Sequence, residues 1–218
     1  MSPRPFERPA TIALPDTPGL PAGASLEGLW LPPRGEDGSR GGAVVAPPHP
    51  LMGGSMDSPV ATEIALAASD AGYTTVRFNW RGVGASAGTP SGETGDADAD
   101  YHAALEFVEE SVDGPIVACG YSWGALAAAR IAMRAPRVRR LVLVAPPPAM
   151  LDGPALAAWG HPMLVIAGDR DGYVPIDELR TGLAGASALE LVVLEGVDHF
   201  FMKGLGEVGR SVRRWLEG

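Results

Sequence analysis

Three stretches of this chain are apolar without a break and are the length of a strand: Leu141–Ala145 (LVLVA), Met163–Ala167 (MLVIA) and Leu191–Leu194 (LVVL). A strand with one wet face alternates apolar and polar residues. Unbroken runs require cover on both faces, which is the condition of a parallel sheet between two layers of helices. The intervening segments fit that order. They predict strands at Ala43–Ala46, Thr74–Trp80, Ile116–Gly120, Val138–Ala145, Met163–Gly168 and Leu189–Leu194. Helices are predicted from Ser58 as cap and Pro59 as first residue to Gly72, then over Asp96–Glu110, Trp123–Arg134, Ile176–Leu183 and Lys203–Leu216. Val60, Ile64, Ala67 and Ala71 share one face of the first, and Asp96, Asp98 and Asp100 sit where a helix dipole favours negative charge. Thr11–Leu14 and Leu26–Leu31 read as an antiparallel pair at a sheet edge, and Arg34–Gly42 as a polar loop. The expected fold is α/β, with a mostly parallel sheet of about seven or eight strands.

A chain of 218 residues that is 46% apolar fits one domain over its whole length, with residues 1–24 as an extended or edge-strand segment. Seventeen Lys and Arg against 26 Asp and Glu give a net charge of −9, which argues against nucleic acid or an anionic membrane as partner. The single cysteine, Cys119, excludes an intrachain disulfide and a cysteine-based zinc site, and reads as a small buried apolar residue. No run is apolar enough for a membrane span, and the opening MSPRPFERPA has no secretory apolar core, so a cytoplasmic location is expected.

Gly120-Tyr121-Ser122-Trp123-Gly124 matches G-x-S-x-G between a predicted strand and a predicted helix. Glycines permit a turn too tight for side chains. The serine Oγ is then presented clear of the backbone, beside amides of the first helical turn that can hold an oxyanion. Such a serine needs a base, and the base an orienting acid. Of four histidines, His199 lies after the last strand, where the base belongs; His161 enters a strand at the opposite end, and His102 sits on a charged helix. The acid follows Met163–Gly168, where Asp169 and Asp171 compete, one of them expected to hold loop amides; Asp177 lies inside the next helix and Asp198 adjoins His199 too closely.

With these motifs the chain resembles the α/β-hydrolase superfamily, over about Leu26 to Leu216. It is nearest to small bacterial serine hydrolases without a cap. Their early loop is similar to Pro48-His-Pro-Leu-Met-Gly-Gly54, and they carry a segment like Arg77–Ser86 (RFNWRGVGAS). The resemblance implies Asp171 as the acid, from Gly168-x-x-Asp-x-x-Val-Pro175, and His199 as the base, from Gly196-x-x-His-Phe200. Ser122, Asp171 and His199 are thereby the expected triad. Trp123 is expected to give one oxyanion amide. The second comes from the proline-rich early loop, from Leu51 or else His49, because Pro47, Pro48 and Pro50 have no N–H.

The expected reaction is hydrolysis of small carboxylic esters through an acyl-enzyme, with no metal and no cofactor. Rival readings are acyl transfer or amide cleavage by the same triad, and a non-catalytic binding protein on this fold. Only seventeen residues, Pro146–Pro162, stand where larger relatives insert a lid, so an open cleft for short acyl chains is expected. Met52, Trp123, Trp159 and Phe200 are its expected walls.

Overall fold

A computed structural model describes residues 6–34 and 39–218. The middle of the expected Arg34–Gly42 loop and the first five residues lie outside the described residues. Among the described residues eight strands form one sheet: β1 (Arg8–Ala13), β2 (Ser25–Leu31), β3 (Gly42–Ala46), β4 (Thr74–Phe78), β5 (Ile116–Tyr121), β6 (Val138–Val144), β7 (Met163–Gly168) and β8 (Leu189–Leu194). Six α-helices accompany them: α1 (Pro59–Asp70), α2 (Thr94–Ser111), α3 (Trp123–Ala132), α4 (Gly153–Trp159), α5 (Ile176–Leu183) and α6 (Leu205–Glu217). The strand order is β1-β2-β4-β3-β5-β6-β7-β8. β1 and β2 pair antiparallel, β2 joins β4 antiparallel, and all other neighbours are parallel.

This order fixes where a site can form. The chain leaves β3 for β4 on one side, then crosses back to β5 on the other. Right-handed crossovers therefore put α1 on one face and α2 and α3 on the opposite face. The segments that leave the carboxyl ends of β3 and β5 lead to opposite faces, and such a switch point is where open sheets of this kind carry their sites. β3, β4, β5 and β7 are buried at every position, and β6 along its LVLV run. Each such fully buried Val or Leu contributes roughly 1.5–3 kcal/mol. The LVVL run behaves differently: β8 is last in the order and its residues are only half-buried.

Helix α3 is rich in alanine (WGALAAARIA) and buried almost all round. Small side chains let it lie close against the sheet and α2 together. Ser58 stands at the start of α1 but its side chain caps nothing; Pro59 supplies the fixed φ of the first turn. The three aspartates of α2 do more than face a dipole. Asp100 is buried and takes Arg81 through both its backbone N–H (2.8 Å) and its guanidinium (2.8 and 3.0 Å). Asp96 also pairs with Arg81, and Asp98 holds Arg130 at 2.7 Å. Burial pushes the Asp100 carboxyl above its ordinary range, against the opposing pull of Arg81. Strand β4 stops at Phe78, before the expected end at Trp80, because Asn79 and Trp80 turn away to brace neighbouring loops. The Pro146–Pro162 link holds a 3-10 turn at Pro148–Met150 and the short α4. Among the described residues, no helix is long and apolar enough to cross a membrane.

Candidate active site

Ser122 closes β5 and opens α3 with φ 53° and ψ −116°, a region that a residue with a side chain rarely occupies. Close approach explains the two glycines of the turn. A Cβ on Gly120 would overlap the Gly124 carbonyl, and one on Gly124 would stand 2.5 Å from the carbonyl oxygens of Ala46 and Pro47. The strained serine is held by its own N–H, which donates to Val144 O at 2.8 Å. Its Oγ lies 3.0 Å from His199 Nε2. His199 Nδ1 in turn lies 2.7 Å from Asp171 Oδ2.

The loops after β7 and β8 are stitched together beneath this relay. Asp169 N–H donates to Leu194 O and Arg170 N–H to Val197 O, each at 3.0 Å. The Asp169 carboxylate accepts the Gly196 N–H at 2.6 Å. The two competing aspartates thus separate: Asp169 is exposed and holds a loop amide, while Asp171 is buried and faces the imidazole. The other oxygen of Asp171 accepts the Tyr173 N–H at 2.8 Å and the Val174 N–H at 3.1 Å. His199 is fixed from below as well, since Tyr121 donates its hydroxyl to His199 O at 2.7 Å. Burial, then the Asp171 and Asp198 charges, push the Tyr121 phenol up, so it remains a donor. Asp198 accepts the Phe200 N–H at 3.1 Å and does not reach the imidazole.

Across the crevice, the loop after β3 makes a 3-10 turn at Pro50–Met52. The two candidates for the second amide differ here. The Leu51 N–H is occupied, donating to His49 Nδ1 at 3.2 Å. The His49 N–H donates to no acceptor among the described residues, so His49 has the free amide. The first-turn N–H of Trp123 lacks an intrahelical acceptor by its position. Burial lowers the His49 pKa below its ordinary value, consistent with a neutral ring whose Nδ1 accepts. That ring lies 4.7 Å from the Trp123 ring. The Trp80 indole pins the same loop by donating to Pro48 O at 2.9 Å and Pro47 O at 3.2 Å. The Trp123 indole N–H is buried without an acceptor among the described residues.

The expected walls divide. Phe200 is exposed, with its ring 5.7 Å from the His199 ring. Met52 and Leu51 are exposed on the 3-10 turn beside the crevice, and Trp123 is buried under His49. Trp159 does not line the site. It ends α4 on the way down to the start of β7, packs on His161 and donates its indole N–H to Ala132 O at 3.1 Å. Ala132 is the far end of α3, about 15 Å from Ser122 at 1.5 Å per residue. Sequence reasoning missed Tyr173, whose exposed ring stands 4.9 Å from that of His199, and also Tyr121 and Trp80. The available signal for Tyr173 was an aromatic residue two positions after the acid in a strand-end loop. Cys119 is buried, and burial pushes its thiol up, away from thiolate chemistry.

A family model described as the alpha/beta hydrolase fold matches residues 51–158. The structure of an alpha-beta serine hydrolase homologue from Coxiella burnetii superimposes with a TM-score of 0.80 at 32% identity, covering 95% of this chain and 96% of that one. XC6422 from Xanthomonas campestris, described as an a/b serine hydrolase without lid, gives 0.79 at 27% identity over 98% of this chain and 94% of its own. An uncharacterized protein of Rickettsia prowazekii is 29% identical over 185 residues, 80% of this chain and 77% of that protein. Strand order, the strained serine turn and whole-length similarity lead to one family: this chain belongs to the α/β-hydrolase superfamily and is built like its lidless serine hydrolases.

Proposed function

We propose that the protein is a carboxylic ester hydrolase that cleaves small esters of short acyl chain through an acyl-enzyme on Ser122. The observation that carries this reading is the continuous path from Ser122 Oγ to His199 Nε2 (3.0 Å) and from His199 Nδ1 to Asp171 (2.7 Å). Ser122 Oγ attacks the ester carbonyl carbon while its proton passes to Nε2. Asp171 keeps the Nδ1 proton in place and balances the imidazolium charge. The carbonyl oxygen becomes an oxyanion, held by the amides of Trp123 and His49. Collapse breaks the bond to the alcohol oxygen, which takes the proton from Nε2 and leaves. Water then repeats the sequence on the acyl-enzyme and releases the acid. Each step uses only groups of this chain and water.

The acyl-length preference rests on the short link between β6 and β7. Between β6 and β7 the chain makes only a 3-10 turn and the seven-residue α4, which leads away from the site. A long acyl chain finds no apolar tunnel there, so it forgoes the ~0.8 kcal/mol that each buried CH₂ contributes elsewhere. A panel of p-nitrophenyl esters of increasing acyl length tests this. The expected kcat/KM is highest for short chains, and Ser122→Ala lowers kcat by roughly 10³–10⁶-fold. A steady rise through long chains overturns the substrate class. Turnover near wild type in Ser122→Ala overturns the mechanism.

A further inference from the structure

The crevice is lined unevenly around the base. Tyr173 and Phe200 are both more than half exposed, 56% and 61%, although large apolar side chains elsewhere are mostly buried. Both rings nevertheless touch one group, the His199 imidazole, at centroid distances of 4.9 and 5.7 Å. Each is placed firmly from the backbone. The Tyr173 N–H is bonded to Asp171, and the Phe200 N–H to Asp198. Phe201 takes φ 54° and is buried edge-on to Tyr121, so the chain reverses sharply here with one phenylalanine inside and the other outside. The third ring on His199, Tyr121, is buried on the protein side. Tyr173 and Phe200 therefore stand on the open side of the base.

We infer that Tyr173 and Phe200 form the leaving-group subsite and select esters of neutral aromatic alcohols, such as arylmethyl esters. This rests on the ester-hydrolase reading and deepens it. In acylation the bond from Ser122 Oγ to the carbonyl carbon forms, the bond from that carbon to the alcohol oxygen breaks, and His199 Nε2 delivers the proton. The alcohol oxygen must then lie about 2.6–3.2 Å from Nε2. Whatever group it carries begins one bond further out, beside the two exposed rings. An aryl group that reaches either ring can pair with it edge to face or offset, at roughly 4.5–7 Å between centroids. No charged side chain is bonded to the Tyr173 hydroxyl among the described residues, and the net charge of −9 disfavours an anionic leaving group.

The test compares benzyl acetate with ethyl acetate, which share one acyl group and have alkoxide leaving groups of similar basicity. The wild type is expected to favour the benzyl ester by about tenfold in kcat/KM, the scale of one or two aromatic contacts. Tyr173→Ala with Phe200→Ala brings that ratio to within about twofold of unity. Phe200→Leu, which keeps apolar area without the ring, falls between. The loss appears in acylation and not in deacylation, because the same acetyl-enzyme forms from both esters after the alcohol has left. A melting curve checks that the exposed substitutions leave the fold intact. Equal kcat/KM for the two esters in the wild type overturns the subsite alone, as does a benzyl preference that survives the double substitution. Failure of the wild type to hydrolyse either ester, or any p-nitrophenyl ester, overturns the ester-hydrolase reading and the subsite with it.

Discussion

Replacing Asp171 by Asn changes one atom type and leaves the shape of the side chain unchanged, yet the contacts of Asp171 make it severe. One carboxylate oxygen faces His199 Nδ1 at 2.7 Å; the other accepts two backbone N–H groups, from Tyr173 and Val174, at 2.8 and 3.1 Å. An amide has only one acceptor oxygen. Placed toward the two N–H groups it keeps both bonds; turned toward the imidazole it loses both, at about 1 kcal/mol each. That roughly 2 kcal/mol difference corresponds to about a thirtyfold preference for the first orientation. The amide NH₂ then faces Nδ1, which must become the acceptor. The ring proton moves to Nε2, and Nε2 can no longer take the proton of Ser122. The expected loss in kcat is about 10⁴-fold, with little change in fold. Asp169→Asn keeps an acceptor for the Gly196 N–H and will retain most activity; Asp169→Ala gives up that bond for about 1 kcal/mol, a Tm fall of about 2–4 °C. Measuring kcat on p-nitrophenyl acetate and Tm for all three variants decides. A folded Asp171→Asn with wild-type kcat, or a folded but inactive Asp169→Asn, refutes the reasoning.

Further outcomes are expected at three positions. His49→Leu removes the acceptor of the Leu51 N–H and loosens the turn that aims the His49 amide, lowering kcat by roughly 10–100-fold, less than the ~10²–10³-fold typical of deleting an oxyanion donor. His49→Asn supplies a replacement acceptor and keeps most of the rate. Because burial holds the folded His49 pKa down, the unfolded chain takes its proton first. The stability tied to this site is complete above the unfolded value of about 6.5 and is lost as pH falls from there, so Tm against pH is flatter in His49→Asn than in wild type. Gly124→Ala pushes a Cβ against the Ala46 and Pro47 carbonyls. It will cost about 1–3 kcal/mol in denaturant melts and will lower kcat by shifting the early loop from Ser122; wild-type values for both contradict this. Trp159→Phe loses one bond to Ala132 O and about 1 kcal/mol of stability, with kcat/KM unchanged; a clear kinetic effect would return Trp159 to the cleft.

Much of the fold was legible because its central strands are buried on both faces and so appear as unbroken apolar runs. The exception, LVVL of β8, reads identically but lies at the sheet edge, because composition reports what a strand tolerates and not how many neighbours it has. The serine turn was legible because close packing forces glycine at Gly120 and Gly124. Sequence separation hid the rest. Trp159 looked like a wall because it lies in the link where relatives carry lids; only the course of α4 shows it descending to the opposite end of the sheet. Leu51 and His49 could not be separated without seeing that the imidazole of one binds the amide of the other. The helix-dipole reading of Asp98 and Asp100 was incomplete because their partners, Arg130 and Arg81, come from other elements.

The central claim is that Ser122 carries the acyl group. Intact-mass spectrometry of the enzyme quenched in acid during turnover of p-nitrophenyl acetate, followed by peptide mapping, tests it most directly. The expected result is a single acetyl adduct on the peptide containing Ser122, enriched in the His49→Leu variant if deacylation slows, and absent from Ser122→Ala. Rapid hydrolysis by the wild type with no adduct on Ser122, or with the acetyl group on another residue while Ser122→Ala stays active, would contradict it.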